Sequence, residues 1–147
     1  MKNILILIAI LLSAVVLTGC ENYTYTFNEQ PVFEQPGLFT DYKIADQGLS
    51  NCVKQAILDH QAHKASEVLQ LNCSNAGIRT LAGLEIFTGL THINLDNNSL
   101  TEIKPLLFLG HLKTVLLTGN DQLSCRDGKL LADQTSDGVT LPAHCSQ

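Results

Sequence analysis

Apolar side chains recur with a 22-residue period through the centre of the chain, between positions 68 and 123. Aligned at that period, they fall into six columns: Val68/Leu90/Leu112, Leu71/Ile93/Val115, Cys73/Leu95/Leu117, Ile78/Leu100, Leu81/Ile103 and Leu84/Leu106. Self-similarity at a period of about 20 to 50 residues is typical of stacked structural repeats, in which each unit buries its apolar face against the next. The pattern therefore predicts an array with one continuous core.

The second copy carries the clearest motif. Its residues Leu90, Ile93, Leu95, Asn98, Leu100 and Ile103 fit the pattern L-x-x-L-x-L-x-x-N-x-L-x-x-L, with Ile at two of the Leu positions. This resembles the leucine-rich repeat, whose period is about 20–29 residues. The resemblance implies an α/β fold, a short leucine-rich repeat solenoid of three repeats over residues 68–125.

The resemblance places a short strand at the start of each copy, at 70–74, 92–96 and 114–118. Because side chains alternate along a strand, every second residue points away from the core. These outward positions are Gln70, Asn72, Ser74, His92, Asn94, Asp96, Thr114, Leu116 and Thr118. In leucine-rich repeat proteins this concave face is the usual ligand-binding surface, so these nine residues are the candidate site; the alternative is that they are merely solvated strand positions.

A buried Asn follows each strand in this family, and its amide bonds to backbone groups of neighbouring repeats. Asn98 and Asn120 occupy that position, whereas the first copy has Ala76 there, as expected of an atypical terminal repeat. Apolar residues three apart then predict 3₁₀ or short helical return segments. These residues are Leu81, Leu84 and Phe87 in the first copy and Ile103, Leu106 and Leu109 in the second.

A helix is predicted over 47–61, with Asp46 as its N-cap. Its apolar stripe consists of Leu49, Cys52, Val53, Ala56 and Ile57. Such a stripe beside a repeat array is typical of a capping helix, here within segment 46–67, that covers the core of the terminal repeat. Cys52 on this stripe and Cys73 in an inward column are predicted to form a disulfide that joins the cap to the first repeat.

Segment 1–19 has the features of a signal peptide: Lys2 and then an apolar run that is short for a membrane span. The run ends in Leu-Thr-Gly-Cys, which resembles the lipobox of bacterial lipoproteins. The resemblance implies that Cys20 receives a diacylglyceryl group and becomes the first residue of the mature, palmitoylated protein. The alternative is an ordinary signal peptide followed by a chance cysteine.

Cysteine parity agrees with lipidation, because five cysteines would leave one unpaired in an exported protein. With Cys20 lipidated, four remain: Cys52, Cys73, Cys125 and Cys145. Export favours two disulfides over a zinc site, and the chain has no C-x-x-C spacing. The pair Cys125–Cys145 would hold segment 126–147 as a C-terminal cap. No metal or cofactor is predicted.

The formal net charge is −5, and the basic residues are scattered. This pattern disfavours nucleic acid as a partner, as well as a polybasic hold on anionic lipid. The bilayer would instead be bound through acyl chains, two or more of which give a stable anchor. Glu21 follows the lipidated cysteine. In enterobacteria-like sorting, an Asp at this position retains lipoproteins in the inner membrane. Glu21 therefore favours the outer membrane over the inner membrane of the cell envelope.

Residues 20–45 are predicted to be an aromatic-rich tether. They contain six of the eight aromatic residues: Tyr23, Tyr25, Phe27, Phe33, Phe39 and Tyr42. Pro31 and the Pro36-Gly37 pair interrupt any long element. Two interpretations stay open, since these rings either pack on the flank of the array as part of the cap or form a partner-docking segment near the membrane.

The chain contains no nucleophile motif and no glycine-rich phosphate loop. His60 and His63 are spaced to share a metal, but the sequence offers no third ligand nearby, and histidine is also favoured at a helix C-terminus. The sequence therefore predicts a non-enzymatic module that binds a protein or glycan. The alternative is a structural envelope lipoprotein whose repeats are scaffold and whose tether makes the contacts.

Overall fold

The computed structural model describes residues 26–27, 30–31 and 37–145. The chain separates into two compact units, Met1–Gln35 and Pro36–Gln147. In the first unit two short strands pair antiparallel, β1 (Thr26–Phe27) and β2 (Gln30–Pro31). The predicted signal peptide, Cys20, and the tether aromatics Tyr23, Tyr25 and Phe33 lie outside the described residues.

The second unit is built on a four-stranded parallel sheet. In spatial order its strands are β3 (Gln70–Asn72), β4 (His92–Asn94), β5 (Thr114–Leu116) and β6 (Gly138–Thr140). Gln70 lies opposite His92, His92 opposite Thr114, and Thr114 opposite Gly138. Paired residues on β3 and β4, and on β4 and β5, are therefore one period of the apolar pattern apart in the sequence. Paired residues on β5 and β6 are slightly more than one period apart.

The first three strands end two residues earlier than predicted, but their hydrogen bonds continue. The Cys73 N–H donates to the Asn94 carbonyl at 2.8 Å, and the Leu95 N–H donates to the Leu116 carbonyl at 2.8 Å. Between the strands the chain returns through 3₁₀ helices at Leu84–Ile86 and Lys104–Phe108. The predicted columns are all buried and form one core.

The predicted capping helix is α1 (Gln47–His60). Asp46 caps it, since its Oδ1 accepts the Leu49 N–H at 3.0 Å. Four of the five predicted stripe residues are buried against the core: Leu49, Val53, Ala56 and Ile57. The fifth, Cys52, is half-buried and forms the predicted disulfide with Cys73, which fixes α1 beside β3.

The C-terminal segment holds more regular structure than predicted. It contains α2 (Cys125–Gln134), strand β6 and a 3₁₀ turn at Ala143–Cys145. The three predicted strands are present, and β6 adds a fourth that was not predicted. Leu131 is the one large apolar residue of α2 that is buried, so this segment lacks the repeated apolar positions that would indicate a helix. The predicted Cys125–Cys145 disulfide is confirmed and closes this segment.

Two aromatic residues of the predicted tether pack on the core. The Phe39 and Tyr42 rings lie 6.1 and 6.0 Å, centroid to centroid, from that of the buried Phe87. Both contacts are edge-on, the favourable arrangement for aromatic pairs. The end of the predicted tether thus belongs to the folded unit, and among the described residues no helix is long and apolar enough to cross a membrane.

Candidate functional site

The outward side chains of β3, β4 and β5 form an open face on the sheet. The central residue of each strand is buried and its neighbours are half-buried or exposed. All nine predicted site residues lie at these outward positions or continue them beyond the strand ends. The alternation arises because successive side chains of a strand point to opposite faces.

A groove of about 750 Å³ lies between α1 and this face, and we call it the helix–sheet groove. Its sheet side includes seven of the nine predicted residues: Gln70, Asn72, Ser74, His92, Asn94, Thr114 and Leu116. Asp96 and Thr118 are not part of its lining. Its volume falls within the roughly 300–1,000 Å³ of ordinary ligand sites.

The second wall of the groove comes from α1 and was not predicted as part of the site. It contributes Asn51, Gln55, Asp59 and His60. Asn51, Gln55 and Asp59 are four residues apart, so they lie on one helix face. The disulfide offered a signal, because a bond between Cys52 and Cys73 holds the adjoining helix positions beside β3.

The Asn side chains of the groove have their carbonyl oxygens engaged. Asn94 Oδ1 accepts the Asp96 N–H at 2.9 Å, which fixes the amide orientation because a backbone N–H only donates. Asn72 Oδ1 accepts the Ser74 hydroxyl at 3.2 Å, and Asn51 Oδ1 accepts the Gln47 amide at 2.9 Å. Within the described part of the chain, the three Nδ2 groups have no hydrogen-bond partner. They are therefore free to donate to a ligand.

His92 is oriented by its neighbour Thr91. The Thr91 hydroxyl donates to the Leu69 carbonyl at 2.9 Å, so its oxygen must accept from His92 Nδ1, which lies 2.8 Å away. A neutral imidazole that donates through Nδ1 has an acceptor at Nε2. His92 thus adds an acceptor to the groove beside the Asn donors.

Asp96 has a structural role at the strand ends. Its Oδ1 accepts the Thr118 N–H at 2.7 Å, while the Asn75 N–H donates to its backbone carbonyl at 2.9 Å. These bonds join three successive sequence copies just beyond β3, β4 and β5. Substitution of Asp96 would therefore disturb the sheet, and we assign it to the scaffold.

The two predicted structural asparagines bond to backbone groups on both sides. Asn98 Oδ1 accepts from the N–H groups of Ala76 and Ile78, and its Nδ2 donates to the carbonyls of Cys73 and Leu95, all between 2.8 and 3.1 Å. Asn120 repeats the arrangement one copy later. It accepts from Leu100 and donates to Leu95 and Leu117. Both side chains are buried.

The helix–sheet groove carries little charge. Within the described part of the chain, Asp59 is the single carboxylate of its lining, two histidines are the other titratable groups, and no Lys or Arg lines it. Amide and hydroxyl groups make up most of the polar lining. Such a surface suits an uncharged polar ligand better than an anion or a nucleic acid.

Where the structure describes the chain, neither His60 nor His63 belongs to a group of three potential metal ligands. His63 Nδ1 lies 3.2 Å from the Gly37 carbonyl, whereas His60 lines the groove. Among the described residues, one group of three potential ligands clusters within 4.8 Å: Cys125, His144 and Cys145. Both of its sulfurs are bonded to each other, so neither is available as the thiolate that metal binding requires.

Comparison with known proteins gives no family assignment. No protein-family model matches the chain, and no curated protein is significantly similar to it.

Proposed function

We propose that this chain is a leucine-rich repeat lipoprotein of the bacterial envelope, a non-enzymatic module that binds a protein or glycan in the helix–sheet groove. The observation that carries the proposal is the convergence of α1 with three strands on a groove of about 750 Å³. Amide donors line both of its walls.

The repeat assignment is supported by agreement between the sequence period and the register. Strands β3, β4 and β5 pair at steps of one period, with the apolar columns buried behind them. Asn98 and Asn120 make equivalent backbone bonds one copy apart. In a solenoid, these bonds would satisfy backbone groups left unpaired by tight buried turns.

The lipid anchor is supported by cysteine pairing. The two disulfides use Cys52, Cys73, Cys125 and Cys145, which leaves Cys20 as the fifth cysteine of the chain. A diacylated or triacylated Cys20 would hold the acidic protein on the bilayer without basic residues. We favour the outer membrane on the basis of Glu21.

The alternative role, as structural lipoprotein with a docking tether, is favoured by the small area of the sheet face. A standard interface buries about 800 Å² on each partner. Nine mostly small side chains fall short of that area, but the polar wall of α1 enlarges the surface. We therefore favour partner recognition by the groove over docking through the tether.

Photo-crosslinking in intact bacterial cells tests the proposal. A photoreactive residue at Asn72 in the groove should give a discrete adduct, whereas the same residue at the exposed Gln122, outside the groove lining, should not. A probe at Phe33 reports on the tether. Adducts from Phe33 without any from Asn72 would contradict groove binding and favour the structural role.

The anchor is tested separately by Cys20→Ser. We expect this variant to lose incorporation of labelled palmitate and to leave the membrane fraction, while both disulfides still form. Firm membrane retention of Cys20→Ser after signal cleavage would show that the anchor is not at this cysteine.

A further inference from the structure

We infer that the helix–sheet groove binds a linear, uncharged glycan lying across β3, β4 and β5; this rests on the proposed function, which makes the groove the binding site. The groove contains two identical donors. Asn72 and Asn94 are direct partners on neighbouring strands, and each has its Oδ1 engaged and its Nδ2 free among the described residues. The groove therefore presents the same donor twice.

The spacing of these donors discriminates between ligands. Neighbouring strands lie about 4.8 Å apart, so a ligand crossing the sheet meets equivalent amides at about that interval. An extended peptide presents carbonyls on one side only every second residue, at intervals of roughly 6.6 Å, so its carbonyls would not match the spacing of the amide donors. The rings of a linear pyranose glycan repeat close to the strand spacing. Successive β-1,4-linked rings are rotated by about half a turn, but each ring carries oxygens on both edges, so every ring presents an acceptor to the Asn donors.

The opposite wall offers acceptors. Gln55 Nε2 donates to Asp59 Oδ1 at 2.6 Å, which leaves Gln55 Oε1 as an acceptor, and His92 Nε2 is another acceptor in the neutral ring. A hydroxyl both donates and accepts, so a single sugar ring can bond to both walls. Half-buried Leu116 provides an apolar contact for the C–H face of a ring.

The low charge of the groove lining favours neutral sugars. Its described lining contains one carboxylate and no Lys or Arg, so these residues offer no side-chain cation to bind a uronate or a phosphorylated sugar. Its volume suits a few rings, comparable to an ordinary ligand site.

The test is an NMR titration of the ¹⁵N-labelled full chain in detergent micelles. The probes are β-1,4-linked tetramers of glucose, mannose and N-acetylglucosamine, and a capped tetra-alanine peptide. We expect at least one tetrasaccharide to shift the side-chain amides of Asn72 and Asn94 and to saturate. Loss of one ligand hydrogen bond in Asn94→Ala or Gln55→Ala should raise Kd about tenfold, and Gln122→Ala should change it less than twofold.

Two results would overturn the inference. If no tetrasaccharide shifts the two side-chain amides, the groove does not bind this class of ligand. If the tetra-alanine peptide shifts them while the sugars do not, the ligand is a peptide, and groove binding itself survives. Failure of the Asn72 crosslink in cells is the separate result that would reject the proposed function. Gln55 is exposed on α1, so its variant keeps the titration interpretable if Asn94→Ala is destabilised.

Discussion

Asn98 satisfies four backbone groups with one buried side chain. Two N–H groups donate to its Oδ1, and its Nδ2 donates to two carbonyls of different sequence copies. Removal of the amide takes this partner from the Ala76 and Ile78 N–H groups and the Cys73 carbonyl, and each unmet buried group costs about 1–3 kcal/mol. The Leu95 carbonyl keeps a hydrogen bond from Asn120 Nδ2.

We therefore expect Asn98→Ala to lower the free energy of unfolding by about 3 kcal/mol or more. Urea denaturation followed by circular dichroism measures this change. Ser99→Ala is the matched control, since Ser99 is adjacent and exposed and should change stability by less than about 0.5 kcal/mol. Equal effects of the two variants would show that the buried bonds are not what stabilises this region.

Asp46 joins the start of α1 to the loop after β3. Its Oδ1 caps the helix, and its Oδ2 accepts the Arg79 N–H at 2.9 Å and the Thr80 N–H at 3.3 Å. Partial burial opposes ionisation, but the donating N–H groups outweigh it and hold the pKa of the Asp46 carboxyl below its ordinary value. The ionised form is thus the one that the fold stabilises.

Acid should remove this contribution. Because the pKa of Asp46 is lower in the folded state, its stabilisation is present above the ordinary pKa of about 3.9 and is lost as the pH falls through the folded value. We expect Asp46→Asn to be less stable than the parent near neutral pH, and the difference to shrink as the pH falls below the ordinary pKa of the carboxyl. Urea midpoints across this range, with the exposed Asp121→Asn as control, measure the difference; a gap that is constant with pH would contradict the assignment.

At the scale of elements, the Cys52–Cys73 disulfide fixes α1 as a wall of the groove. It closes a loop between two cysteines that are 21 residues apart in the sequence. In the chain-entropy model a loop of this size contributes about 3 kcal/mol. We expect the double variant Cys52→Ala/Cys73→Ala to lose about that much stability.

The matched comparison is Cys125→Ala/Cys145→Ala, whose loop has nearly the same separation of 20 residues. Both pairs should cost similar stability, as measured by denaturant unfolding. Removal of the first pair should in addition weaken ligand binding in the groove, whereas removal of the second should not. If the first pair is lost with no effect on binding, α1 is held in place by its apolar stripe alone.

Close packing between successive copies depends on Gly89. A Cβ added there would overlap the Ser66 backbone carbonyl, whereas a Cβ at Gly110 would meet no atom within 4 Å. We expect Gly89→Ala to destabilise the fold by about 1–3 kcal/mol and Gly110→Ala to be nearly neutral. Thermal or urea unfolding of the two variants provides the comparison, and a neutral Gly89→Ala would mean that the backbone there can shift.

At the scale of the whole molecule, the parts with strong periodicity could be predicted from the sequence. The period of the apolar columns indicated the parallel register of β3, β4 and β5, and helical spacing indicated α1 with Asp46 as its cap. Pairing of the four cysteines also followed from parity and position. The register could be predicted because the apolar columns recur in each sequence copy, and α1 because its apolar residues recur on successive helical turns.

Features that depend on a single weak signal were missed. Strand β6 follows β5 by a longer step than the repeat period and begins with Gly138, so neither its spacing nor its composition indicates a strand. The α1 wall of the groove was missed for another reason. The apolar stripe predicts which helix face is buried, but the angle between helix and sheet is set by packing and by the disulfide.

If a partner occupies the helix–sheet groove, a residue that blocks the groove should weaken its binding. The measurement is the yield of the Asn72 photo-adduct in intact cells with and without Gln55→Arg, a long cation placed on the opposite wall. We expect Gln55→Arg to lower the yield about tenfold, the effect of roughly 1.4 kcal/mol of lost binding, while Gln122→Arg should leave it unchanged. An unchanged yield in Gln55→Arg would show that the partner binds without entering the groove, and groove binding would be rejected.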